Sequence, residues 1–168
     1  TVMTRALKAK IYDPVDLMRA PSGTIAFTGA ANLGQAATAV TVYTITGRVM
    51  ILHMPPPFVT EALVSTVNLG TISLGVASDV IAFIGATTVG AGTFAVNDWW
   101  WRDTSIVPGV GRDPMDFTSA TKMVISENLI IDCLTQNITD GTLRFDGLMY
   151  RPLTAGARLA LGPNMVAV

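Results

Sequence analysis

The stretch MVISENLIIDCLTQNITDGTLRFDGLMYRP, Met123 to Pro152, decides how this chain is read. Two runs rich in β-branched, aromatic and large apolar residues flank Asp140-Gly141. Asp-Gly is a favoured pair for a two-residue type I′ turn, because both central positions need positive φ. The spacing therefore predicts a β-hairpin in which Thr139 faces Thr142 and Ile138 faces Leu143. Further from the turn, Cys133 is set against Leu148 and Ile131 against Tyr150, with one face mostly apolar. Arg151-Pro152 closes the second strand, since proline has no N–H to give a ladder.

The same signals recur on either side. Thr24–Thr28 is a short strand ending at Gly29. Val40–Thr46 alternates Val40, Val42, Thr44 against Thr41, Tyr43, Ile45, and Arg48–Met54 resumes the pattern after Gly47, which suggests a bulge or a tight corner. Pro55-Pro56-Pro57 stops that strand. Glu61–Leu69, Thr71–Val76, Val80–Thr87, Thr93–Trp101 and Lys122–Ser126 are further strand candidates, with residues 102–119 as a Pro/Gly loop. No stretch carries a helical apolar period, and no linker divides the chain. Repeated short strands with turns between them argue an antiparallel sandwich or barrel.

At 168 residues the length fits one domain with a sizeable core. Half of the residues are hydrophobic and only 14% are charged, against roughly 25% in an ordinary soluble domain. Such a surface is poorly protected from association, so part of it is expected to lie against other chains. A formal net charge of −1 provides no field for nucleic acid. Arg5, Lys8, Lys10 and Arg19 place four of the eleven basic residues in the first twenty. No apolar run with a cleavage site opens the chain, so no secretion signal is expected. The apolar segment Leu74 to Val96 contains Asp79 and is dominated by β-formers. It reads as buried strands and turns, not a membrane helix.

The search for chemistry returns little. One histidine, His53, and one cysteine, Cys133, exclude an intrachain disulfide, a multi-cysteine zinc site and a two-histidine metal site. Both fall on expected strands, where His53 reads as a hydrogen-bonded structural histidine and Cys133 as a small buried thiol. No G-x-S-x-G elbow occurs, and the glycine-rich runs lack the lysine that a phosphate-binding loop requires. Asp98, Asp103, Asp113 and Asp116 surround Trp99-Trp100-Trp101, a composition that a sugar site would also show. A strand cannot point three consecutive tryptophans one way. Trp99 and Trp101 share one side and Trp100 takes the other, so one side enters the core and the other meets a partner subunit or packs under the Pro/Gly loop. No enzyme, cofactor or metal is expected.

The block Ile130–Leu161 resembles the C-terminal part of small β-rich virion proteins of tailed bacteriophages. Ile138-Thr139-Asp140-Gly141-Thr142 and Tyr150-Arg151-Pro152-Leu153 carry the resemblance. Thr44-Ile45-Thr46-Gly47-Arg48-Val49 and the run Leu69–Ala86 add to it. The resemblance implies a capsid decoration or head-fibre protein with no catalytic residues to transfer. Together these readings give an all-β fold, an antiparallel jelly-roll-like β-sandwich over residues 24–168, with an extended N-terminal arm at 1–23. The expected function is cementing of a capsid from its outer surface, in a protein made in the host cytoplasm. Its partners are copies of itself (a trimer preferred, on the strength of the resemblance) and the major capsid protein or another virion protein. No nucleic-acid or membrane partner is expected. The candidate partner-binding residues are Arg5, Lys8, Lys10, Tyr12 and Arg19 in the arm, with Trp99, Trp100 and Trp101. A host-surface or glycan-binding module of tail, collar or fibre is the alternative.

Overall fold

The computed structural model of the chain describes residues 17–67, 70–90, 93–100, 106–108, 115–116 and 123–168. Among these there is no helix; strands form three antiparallel sheets. The first sheet holds β3 (Thr38–Thr46), β6 (Gly70–Val76), β7 (Asp79–Val89), β12 (Leu129–Cys133) and β15 (Arg158–Leu161), in the order β15-β3-β12-β6-β7. The second holds β2 (Gly23–Ala26), β5 (Phe58–Ser65), β8 (Asp98–Trp100), β9 (Ile106–Pro108), β13 (Ile138–Phe145) and β16 (Val166–Ala167), in the order β16-β2-β13-β5-β8-β9.

Eight of these strands reproduce a jelly roll. In chain order β2, β3, β5, β6, β7, β8, β12 and β13 are first to eighth, and they pair first-eighth-third-sixth and second-seventh-fourth-fifth. The chain crosses between the two sheets at every connection except the β6–β7 turn, which is the double Greek key of that architecture. The third sheet is built from the connections and ends. It holds β1 (Met18–Arg19), β14 (Met149–Pro152) and β4 (Val49–Met54), with β10 (Met115–Asp116) and β11 (Met123–Ile125) both pairing along the far side of β4.

Buried side chains from all three sheets form one hydrophobic cluster, including Ile25, Val42, Ile51, Leu74, Trp100, Ile131, Leu143 and Tyr150. A large apolar side chain moved fully out of water contributes roughly 1.5–3 kcal/mol, so this cluster is what offsets the entropy of ordering the strands. Buried polar groups join the layers. The Trp100 indole N–H donates to Thr87 Oγ1 at 2.9 Å, from β8 to β7. Ser65 Oγ donates to the Val89 carbonyl at 3.0 Å. The Tyr150 hydroxyl accepts from the Leu159 N–H at 3.2 Å, tying the third sheet to the exposed edge of the first.

The expected hairpin is not there. β12 lies between β3 and β6 in the first sheet, whereas β13 lies between β2 and β5 in the second. Ile131 pairs with Val40 and Leu74, Leu143 pairs with Ile25 and Val59, and Tyr150 pairs with Ile51. Asp140-Gly141 sits inside β13, at one of three register shifts against β5. Gly141 does have positive φ, 105°, but it serves a bulge. A Cβ there would stand 2.5 Å from the Ala62 carbonyl oxygen and 2.6 Å from Leu63 Cα, so glycine is needed for close approach of β5.

Other expectations hold with shifted bounds. The β3 alternation is interrupted where the register to β12 shifts between Leu129 and Ile130, so adjacent Val42 and Tyr43 are both buried. Gly47, at φ 73°, is the corner where the chain leaves the first sheet for the third. The three prolines separate β4 from β5. Of the expected strand Thr93–Trp101, residues 93–100 are described, and among these only Asp98–Trp100 is strand, because Phe94 and Asn97 take positive φ of 57° and 74°. Residues 18–23 lie on the sandwich. β1 pairs with β14, Ala20 is buried, and the Pro21 carbonyl accepts from the Tyr43 hydroxyl at 2.9 Å.

Candidate functional site

Alternation along β8 separates the tryptophans as the sequence implies. Trp100 points inward, fully buried, with the Phe94 ring edge-on at 5.5 Å. Trp100 was expected among the partner-binding residues; the structure corrects this, since a side chain without exposed surface reaches no partner. Its neighbour Trp99 faces outward and is half-buried.

The register carries Trp99 into a row across the whole second sheet. Val166 stands opposite Thr24, Thr24 opposite Arg144, Arg144 opposite Phe58, Phe58 opposite Trp99, and Trp99 opposite Val107. Residues directly opposite share a face, so Val166, Thr24, Arg144, Phe58 and Trp99 lie on one surface. Within the row, the Phe58 and Trp99 rings are 4.7 Å apart and tilted by 55°. The Arg144 guanidinium lies over the Phe58 ring, 4.9 Å from its centre. Its Nη2 donates to Asp146 Oδ2 at 3.0 Å, with the two side chains 36% and 33% exposed. Arg144 Nε is shielded and has no hydrogen-bond acceptor, a cost that the ring contact and the ion pair offset. Along the same strand Thr142 Oγ1 donates to Glu61 Oε2 at 2.9 Å.

The remaining candidates distribute elsewhere. Arg19 is exposed on β1 in the third sheet, opposite Met149. Arg5, Lys8, Lys10, Tyr12 and Trp101 lie outside the described residues. Of the carboxylates around the tryptophans, Asp98 is buried and its Oδ2 accepts from the Ala95 N–H at 2.8 Å, a turn-forming role, and Asp116 lies on β10 of the third sheet, opposite His53. Asp103 and Asp113 lie outside the described residues. Sequence reasoning missed Phe58, Arg144 and Asp146 as companions of Trp99. The signal that could have found them is cross-strand register, which the misplaced hairpin concealed.

Groups with catalytic chemistry are scattered. Cys133 is fully buried, and its thiol is pushed up to about 12 by burial and then by Asp132, so no thiolate forms near neutrality. Burial also raises the Tyr43 hydroxyl, with Asp146 adding to the effect, and lifts the Asp132 carboxyl. Among the described residues no group of three or more His, Cys, Asp or Glu could hold a metal ion. A cleft of about 620 Å³ runs between Met18 and the segment from Pro152 to Arg158, lined by small and apolar side chains together with Thr154 and Arg158. Comparison with protein-family models, curated proteins and solved structures finds no match.

Proposed function

We propose that this chain is a structural protein of a tailed-phage virion, a decoration protein that assembles with copies of itself on the outside of the head and cements the shell. The observation that carries the reading is the apolar surface of the sandwich. Leu17, Met18, Val64, Val67, Ile81, Val96, Val124, Leu153, Val166 and Val168 are each at least 41% exposed. In a chain with 14% charged residues, that surface is suited to burial against neighbours rather than to life as a dilute monomer. The jelly roll supports the reading by analogy, since capsid proteins use it, although lectins use it too.

In this reading the attaching segment is the N-terminal arm expected from the sequence, of which residues 1–16 lie outside the described residues. A trimer matches the threefold and quasi-threefold junctions of a shell. Light scattering of the purified protein tests assembly, and co-sedimentation with empty heads of the phage that carries its gene tests attachment. Removing residues 1–16 should leave the number of subunits read from the scattering mass unchanged and weaken co-sedimentation. The deletion stops at 16 because Met18, Arg19, Ala20 and Pro21 are bound into the sheets. A monomer in scattering, or full attachment without the segment, contradicts the proposal.

A further inference from the structure

We propose that the outer face of the second sheet is a glycan-binding surface, with Trp99 as the stacking platform and the Arg144–Asp146 pair as the hydroxyl-recognising group. This stands independently of the virion reading. A pyranose ring presents a face of C–H bonds and a rim of hydroxyls, each both donor and acceptor. The C–H face is attracted to the negative face of an aromatic ring, and the rim needs donors and acceptors side by side. The row supplies both within one surface. Trp99 faces outward and is half-buried, and Phe58 against it at 4.7 Å limits its rotation. A ring already held in place loses little freedom when a ligand stacks on it.

Arg144 is fixed twice, by the Phe58 ring at 4.9 Å and by Asp146 at 3.0 Å, yet about a third of each side chain of the pair remains exposed. A guanidinium carries five N–H donors and a carboxylate about four lone-pair positions, so one shared bond leaves both with capacity. The pair is also neutral as a unit, which selects the ligand. A phosphate or a polycation gains no net Coulomb attraction there, whereas a neutral polyhydroxylated ligand can use both charges at once. Thr24, opposite Arg144 in the row, adds a hydroxyl at the margin.

The test uses the full chain and three neutral probes, cellohexaose, chitohexaose and maltohexaose, read by saturation-transfer NMR and titration. At least one should receive saturation at its ring C–H protons. Trp99→Ala should weaken that binding about tenfold, the loss expected when one stacked aromatic contact is removed, while Trp99→Phe retains it. Arg144→Met, which leaves Trp99 untouched, should weaken binding with an unchanged melting temperature, and it serves where Trp99→Ala fails to fold. Saturation transfer from none of the three probes overturns the proposal. So does binding that survives both Trp99→Ala and Arg144→Met. A drop in scattering mass on Trp99→Ala with no change in sugar response would also overturn it, by showing that the face is occupied by a second copy.

Discussion

At the scale of single residues, glycine and tryptophan positions separate geometry from composition. Gly141 combines positive φ with backbone atoms of β5 where a Cβ would go, whereas Gly156, at φ 74°, has nothing within 4 Å. Gly141→Val should therefore cost about 3 kcal/mol or more, from strain and steric overlap together. Gly156→Ala should cost about 1 kcal/mol, from φ alone. Urea denaturation of the two variants checks this, and equal losses would mean that close approach at β5 plays no part. The same contrast holds between adjacent tryptophans. Trp100→Ala empties a core site and removes the donor to Thr87 Oγ1, which keeps its own bond to the Gly85 carbonyl, for an expected loss of about 3–5 kcal/mol. Trp99→Ala should cost nearer 1 kcal/mol. Comparable losses would contradict the inward and outward assignment.

At the scale of elements, local pattern revealed most strands but misassigned their partners. The alternation in Val40–Thr46 and Arg48–Met54 found β3 and β4, and the prolines found the break before β5. Asp140-Gly141 misled because positive φ serves a turn and a bulge equally, and only the strand lying alongside decides which. That strand is β5, some eighty residues earlier in the chain. The candidate site shows the same division. Alternation within β8 set Trp99 apart from Trp100, but Phe58 and Arg144 reach Trp99 only through long-range pairing that no local window contains. Hydrogen exchange tests the corrected pairing. Amides of β12 and β13 have ladder partners on both sides and should exchange slowest, while β15 and β16, at sheet edges, should exchange much sooner. A β12 that exchanged as fast as β15 would argue for the isolated hairpin instead.

At the scale of the whole molecule, a jelly roll with a third sheet made from its ends and connections leaves apolar side chains outside, which under the proposed cementing role lie against neighbours on a shell. A protein that binds the assembled shell but not its separated subunits stabilises the shell by mass action. The most direct measurement is the disassembly temperature of empty heads, stripped and then re-saturated with the purified protein, followed by light scattering. The account predicts that saturation raises this temperature, and that protein lacking residues 1–16 raises it less at the same concentration. Heads that bind the protein and come apart at an unchanged temperature would contradict the cementing role.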